Sequence, residues 1–246
     1  MIDRKFITEL STKLQTSEQN IAREYCQHLF LSYLYKKKLS ENLLFKGGTA
    51  LRIVFNSPRF SEDLDFSALN DLSIEDINNL IDAVLIDLKK EGIDCIKTVN
   101  TGTQGETTGG YYAVVNLKLL EFDSEIRVQI SFRSKDAMQS SSALITNDFI
   151  PAYSITYLKE EILVREKVLA LTDRAKPRDF FDLYFILKDR RLLSFFPREI
   201  PDIKSKIQEI LNNGWEKELK VFLPISYHAL LKGLKERLEE LIDIHI

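Results

Sequence analysis

Two aspartates in alternating positions are the residues of this sequence best suited to chemistry on phosphates. Asp63 and Asp65 alternate with Leu64 and Phe66, so in a strand both carboxylates would point to one face. Neighbouring carboxylates repel each other, and two Mg²⁺ ions held about 3.5–4 Å apart would turn that repulsion into a binding site. The pattern predicts phosphoryl or nucleotidyl transfer with Asp63 and Asp65 as metal ligands.

A glycine pair lies upstream of these acids and predicts a phosphate-binding turn. The apolar residues 43–45 predict a buried strand, and Gly47 and Gly48 let the backbone turn tightly beside a ligand. Thr49 is predicted to cap the following helix, whose free N–H groups and positive dipole end suit a triphosphate. Gly48 and Thr49 are therefore predicted to bind the β- and γ-phosphates.

Each half of this pattern is common by itself. Gly-Gly is an ordinary turn, and Asp-x-Asp is most often a solvated strand edge or loop. A calcium loop starting at Asp63 would need glycine and glutamate where Ala68 and Ile74 stand, and no P-loop motif occurs. The order of strand, Gly-Gly-Thr, helix and Asp-x-Asp strand favours the joint interpretation.

Two blocks of motifs extend the pattern. The first contains Lys46-Gly47-Gly48-Thr49-Ala50-Leu51 and Arg59-x-Ser61-x-Asp63-Leu64-Asp65-Phe66. The second contains Glu160-Glu161-Ile162-Leu163-x-x-Glu166-Lys167-x-x-Ala170-Leu171 and Arg174-x-Lys176-x-Arg178-Asp179-x-x-Asp182-Leu183-Tyr184. In this order they resemble the AbiEii/AbiGii toxin family of nucleotidyltransferases, within the DNA polymerase β-like superfamily, over residues 20 to 188.

The resemblance implies a Mg²⁺-dependent enzyme that moves a nucleoside monophosphate from an NTP to an acceptor hydroxyl. In some members the acceptor is a tRNA 3′ end, and a separately encoded antitoxin opposes the toxin. Carried onto this sequence, the catalytic residues are Asp63, Asp65, Lys167 and Asp182. Lys167 would contact the triphosphate, and Asp182 would position Lys167 or act as a base toward the acceptor hydroxyl. The implied substrate-binding residues are Lys46, Gly47, Gly48, Thr49, Arg59, Ser61, Arg178 and Asp179.

One position departs from the superfamily pattern. Many members carry a third carboxylate on a later strand, and the aligned residue here is Gln129, whose amide neither binds metal well nor accepts a proton. Glu125 lies on the same predicted strand face, but about 13 Å away along the strand. A degenerate nucleotide- or RNA-binding module without turnover is therefore one alternative to an enzyme.

Further alternatives stay open on the sequence. The acceptor could be a small-molecule alcohol, as in antibiotic-modifying relatives, or the helical tail could make the chain chiefly an interaction protein. Asp179 also has a purely structural interpretation, because the helix dipole favours an acid in the first turn.

Composition bounds the class of protein. The chain has 246 residues, 44% hydrophobic and 29% charged, with a net charge of −3, so nucleic-acid contact would need a local basic patch. Cys26 and Cys95 have apolar neighbours and are predicted to be core residues. The sequence lacks an apolar N-terminal stretch and any apolar run of about 18 residues, which predicts a cytoplasmic protein without membrane contact.

These elements predict an α+β fold: a nucleotidyltransferase-fold mixed sheet flanked by helices, with a C-terminal helical bundle. Ser73 and Asp76 predict the start of a helix that ends at Gly92. A change of composition before Pro151 predicts a nucleotidyltransferase domain over residues 1–150. Residues 151–246 are predicted to be a helical bundle domain that contributes active-site residues, its first helix starting at about Thr156.

Overall fold

The computed structural model describes residues 2–69, 72–99, 110–132, 139–197, 203, 206–207 and 215–245. Contacts divide the chain into two compact units. The first contains Met1–Asn56 and Phe60–Leu158, and the second contains Ser57–Arg59 and Lys159–Ile246. The observed division therefore falls after residue 158, whereas the sequence predicted it at residue 150.

The first unit is built on a mixed seven-stranded sheet. Its strands are β1 (Leu43–Lys46), β2 (Asp63–Ala68), β3 (Asp94–Val99), β4 (Tyr111–Leu119), β5 (Phe122–Ser131), β6 (Ser140–Ile145) and β7 (Tyr153–Leu158). Their order across the sheet is β3-β4-β5-β2-β1-β7-β6. β2 pairs in parallel with β5 and β1 with β7, while the other four pairs are antiparallel. The sheet confirms the predicted α+β class.

Strand β2 lies at the centre of this sheet, between β1 and β5. Leu64 and Phe66 are buried, and Phe66 packs on Phe45 of β1 with ring centroids 5.5 Å apart. Side chains on a strand alternate between faces, so this burial leaves Asp63 and Asp65 together on the opposite face. The core contacts of β2 thus fix the direction of both carboxylates.

Helices cover the sheet. Those of the first unit are α1 (Arg4–Leu14), α2 (Glu18–Leu34), α3 (Gly47–Phe55) and α4 (Ile74–Lys90). α2 packs on β5 and α4, and α3 packs on β2. α4 begins with the reciprocal capping bonds between Ser73 and Asp76, and Gly92 has a left-handed φ of 79° just beyond its end. Both boundaries of α4 agree with the sequence prediction.

The described part of the second unit is helical. Its helices are α5 (Glu160–Arg174), α6 (Pro177–Lys188), α7 (Arg190–Leu193), α8 (Glu216–Lys220), α9 (His228–Leu231) and α10 (Leu234–His245). The prediction that α5 begins at about Thr156 is wrong, because the aromatic and β-branched residues before Lys159 form β7. None of the helices in the described ranges is both long and apolar enough to cross a membrane.

Candidate active site

The glycine turn and the acidic strand meet directly in the first unit. β1 and β2 pair antiparallel with Lys46 opposite Asp65, so the chain turns into α3 beside that carboxylate. Gly47 has a φ of +82°, and a Cβ built on it would lie 2.8 Å from Cγ of Asp65 and would overlap its Oδ2. A side chain at this position would displace the acid. Glycine is therefore required for both its conformation and its lack of Cβ.

Thr49 lies within α3 and does not cap it. α3 begins at Gly47 with Lys46 as its N-cap residue, so the prediction that Thr49 caps the helix is wrong. Its side chain is fully buried, and its hydroxyl donates a hydrogen bond to the backbone carbonyl of Asp63. Thr49 thus ties the first turn of α3 to the start of β2. Its contacts favour positioning of Asp63 over direct contact with a phosphate.

Strand β5 adds two polar neighbours to the acidic pair. Its register places Arg127 beside Asp63 and Gln129 beside Asp65. Nη1 of Arg127 lies 3.7 Å from Oδ1 of Asp63, whose side chain is 13% exposed. The neighbour of Asp65 on this strand is thus an amide, at the position that the sequence aligned with a third carboxylate.

Two further predicted substrate-binding residues lie in the first unit. The ammonium of Lys46 donates a hydrogen bond of 3.1 Å to the Ser131 hydroxyl on β5. The backbone carbonyl of Ser61 accepts a 3.0 Å bond from the side-chain amide of Gln27 on α2. The amide of Gln27 thereby fixes the backbone just before β2.

The donor set of Asp63 and Asp65 fits one divalent cation. Mg²⁺ is commonly held by one or two protein carboxylates together with water and substrate phosphates. Among the described residues, no group of three or more His, Cys, Asp or Glu side chains is arranged to hold a metal ion. The two aspartates can therefore hold an ion that a nucleotide also binds, but they do not form a closed protein site.

The second unit contains a buried ionic cluster around Asp182. Arg59 binds this carboxylate through two bonds, Nε to Oδ1 at 2.8 Å and Nη2 to Oδ2 at 2.9 Å. Lys167 of α5 donates to Oδ2 at 2.7 Å. The side chains of Asp182, Arg59 and Lys167 are 1%, 3% and 10% exposed. One carboxylate on α6 thus orients a guanidinium from the segment Ser57–Arg59 and an ammonium from α5.

These contacts set the charge of Asp182. Burial by itself would raise the pKa of Asp182, but the charges and hydrogen bonds of Arg59 and Lys167 outweigh it and lower the pKa to about 2. A carboxylate with such a low pKa is a weak base near neutral pH. Of the two roles predicted for Asp182, the contacts favour positioning of Lys167 over proton abstraction.

Asp179 is occupied by structural contacts at the start of α6. Its carboxylate accepts bonds of 2.8 and 2.9 Å from Arg174 and one of 3.1 Å from the backbone N–H of Lys176. It is 1% exposed. These contacts match the structural interpretation of an acid in a first helical turn. Arg178, on the same turn, is half-buried.

The sequence did not indicate two of these contacts. Arg59 was expected to bind substrate, but a partner as distant along the chain as Asp182 leaves no local pattern. Arg127 was not singled out, because its position beside Asp63 depends on the parallel pairing of β2 with β5 and on the register of that pair. Its place two residues before Gln129 was the available signal, because the two residues share a strand face.

Comparisons with known proteins agree with this fold and with the family indicated by the sequence. Residues 29–211 match the family model described as the nucleotidyl transferase AbiEii toxin of type IV toxin–antitoxin systems. No curated protein matches the sequence.

Two crystal structures have a similar fold. One is of a candidate nucleotidyltransferase from H. pylori, with a TM-score of 0.55 and 21% identity over 93% of this chain and 94% of that chain. The other is of JHP933 from Helicobacter pylori, with a TM-score of 0.54 and 21% identity over 94% of this chain and 91% of that chain.

Replacing Gly47 by alanine is expected to destabilise the protein by about 1–3 kcal/mol, because the new Cβ meets Asp65 and the positive φ strains the backbone. Gly233→Ala is the matched control, since the nearest atom to its added Cβ is 3.9 Å away. Urea unfolding of both variants measures the difference. Equal stability of the two variants would show that Gly47 does not constrain Asp65.

Replacing Asp182 by asparagine is expected to lower the free energy of unfolding by about 3–5 kcal/mol at pH 7, because two buried cations lose their shared carboxylate. Since the pKa of Asp182 is lowered to about 2, its contribution is complete above its ordinary pKa near 4 and is lost as pH falls toward 2.

The gap between wild type and Asp182→Asn should therefore narrow by about 2 kcal/mol between pH 4 and pH 2. Thermal unfolding across this pH range measures the gap, with Asp173→Asn, an exposed aspartate of α5, as the control. A gap that stays constant with pH would contradict the role assigned to Asp182.

Proposed function

Since the chain belongs to the AbiEii nucleotidyltransferase toxin family of type IV toxin–antitoxin systems, we propose that it transfers a nucleoside monophosphate from an NTP to the 3′ hydroxyl of an RNA. The resemblance of its motifs supports tRNA as the class of RNA and Mg²⁺ as the cofactor. The family also implies an antitoxin as a protein partner.

The contact between Gly47 and Asp65 is the observation that carries this proposal. It brings the start of α3 against one carboxylate of the acidic pair. A triphosphate needs both groups, because helix N–H groups bind phosphate oxygens while the carboxylates hold the accompanying cation. The two halves of the motif, each common by itself, therefore form one arrangement suited to a nucleotide.

The residues of the first unit would bind and orient the nucleotide. The first backbone N–H groups of α3, at Gly47 and Gly48, lack partners within the helix and would donate to phosphate oxygens. Asp63 and Asp65 would hold Mg²⁺, which when bound withdraws charge from the phosphates and orients them. Thr49 would keep Asp63 in place through its backbone carbonyl. Lys46, opposite Asp65, would add positive charge beside the phosphates.

The proposed reaction is a substitution at the α-phosphorus of the NTP. The oxygen of the acceptor hydroxyl forms a bond to this phosphorus, and the bond from phosphorus to the oxygen bridging to the β-phosphate breaks. Pyrophosphate leaves, and the hydroxyl proton passes to water. Asp182 is not required as the base in this scheme, which agrees with its low pKa.

In the second unit we propose that Lys167 supplies positive charge for phosphate groups. Asp182 would hold its ammonium in one direction through the 2.7 Å bond, while Arg59 keeps that carboxylate ionised and fixed. An oriented charge loses less conformational entropy when it binds a ligand than a freely moving lysine does. Direct binding of substrate by Arg178 stays a prediction from the resemblance.

Labelled triphosphates test the function. The protein is incubated with each of the four NTPs, Mg²⁺ and cellular RNA, and we expect the label of one or more NTPs in the tRNA fraction. Asp63→Asn and Asp65→Asn should each lower transfer at least about 100-fold without unfolding the protein, because each removes a metal ligand. Asp123→Asn, an exposed aspartate of β5, is the matched control and should retain activity.

The other outcomes separate the alternatives. Label on small hydroxyl compounds but not on RNA would replace the proposed acceptor. Mg²⁺-dependent NTP binding with no product for any acceptor would favour a binding module, which Gln129 beside Asp65 would explain. Full activity in both Asp63→Asn and Asp65→Asn would remove the metal assignment.

A further inference from the structure

Arg127 is the charged group on β5 that lies beside the acidic pair. It neighbours Asp63 in the parallel register of β2 and β5, and its Nη1 lies 3.7 Å from Oδ1 of Asp63. Its Nε donates a 2.8 Å hydrogen bond to Glu125 two residues earlier on the strand. Nη1 also lies 3.8 Å from Oε2 of Glu62. Glu125 and Glu62 thus help to keep the guanidinium next to Asp63, although the side chain of Arg127 is 39% exposed.

The other neighbour on β5 limits the negative charge of the same face. Gln129 pairs with Asp65 and contributes no charge where a carboxylate could have shared a second cation. The described residues contain no group of three or more His, Cys, Asp or Glu side chains arranged around a metal ion. Because Glu62 and Glu125 pair with Arg127, a second divalent ion would set four positive charges against the two negative charges of Asp63 and Asp65.

Repulsion from Arg127 adds to this imbalance. A fixed positive charge so close to Asp63 disfavours a second divalent ion on that carboxylate, since like charges a few ångströms apart interact strongly near a protein surface. A guanidinium also matches the geometry of phosphate oxygens and stabilises charge on a transferring phosphoryl group. Arg127, which disfavours a second ion, can thus itself neutralise part of the negative charge of the phosphates.

We propose, on the basis of the function proposed above, that this chain binds a single divalent cation at Asp63 and Asp65 and that Arg127 supplies the second positive charge to the nucleotide. Glu125 holds the guanidinium in position, and Gln129 keeps the neighbouring place free of negative charge. The nucleotide phosphates then bind between one exchangeable cation and one fixed cation.

Mn²⁺ binding tests this proposal with a readout other than activity. Electron paramagnetic resonance and calorimetry count the ions bound in the presence of a non-hydrolysable NTP, and wild type is expected to bind one per chain. Arg127→Gln should bind that ion about tenfold more tightly, because a repelling charge is removed, yet transfer should fall at least about tenfold. Arg127→Lys keeps the charge and should retain one ion and part of the activity.

Lys118→Gln is the control, because it removes an exposed cation from the adjacent strand β4 and should change neither readout. Two ions bound to wild type would overturn the single-cation proposal while leaving the proposed function intact. Weaker Mn²⁺ binding by Arg127→Gln would show that Arg127 only supports the fold of the site. No Mn²⁺ bound to wild type would overturn both this proposal and the metal-dependent function.

Discussion

The close approach of Gly47 to Asp65 is the constraint on which the candidate site depends. Adjacent antiparallel strands bring Lys46, at the end of β1, opposite Asp65, the second aspartate of the Asp-x-Asp sequence. Only a residue without a Cβ fits between the start of α3 and this carboxylate. The same turn places Thr49 where its hydroxyl binds the backbone of Asp63. Both acids are thus contacted by the first turn of α3. The turn proposed to bind phosphate and the aspartates proposed to bind a cation form one arrangement because they share this contact.

In the second unit, buried ionised side chains stabilise one another through ion pairs. Asp182, Arg59 and Lys167 are nearly excluded from solvent, where an unpaired ion would be costly, so each charge depends on the others. Arg59 comes from Ser57–Arg59, which precedes β2 in the sequence but belongs to the second unit by its contacts. Removing any one of the three charges should therefore also destabilise the buried charges that remain.

The elements that were predicted correctly are those that depend on local sequence patterns. Alternation of Asp63 and Asp65 with Leu64 and Phe66 predicted both the strand and its buried face, and Ser73 with Asp76 predicted the start of α4. The predicted helix cap at Thr49 was wrong because α3 already starts at Gly47, with Lys46 as its N-cap residue. The predicted helix start at Thr156 was wrong because that segment forms strand β7. The partner of Arg59 and the neighbour of Asp63 depend on tertiary pairing, which local patterns do not contain.

We propose that one cation and one triphosphate share the turn at Gly47 and the carboxylates of Asp63 and Asp65. A crystal structure with Mn²⁺ and a non-hydrolysable NTP measures this directly through the anomalous scattering of manganese. We expect one anomalous peak about 2.1 Å from oxygens of both aspartates, with phosphate oxygens beside the first turn of α3. A cation bound away from these carboxylates, or a nucleotide whose phosphates lie elsewhere, would contradict it.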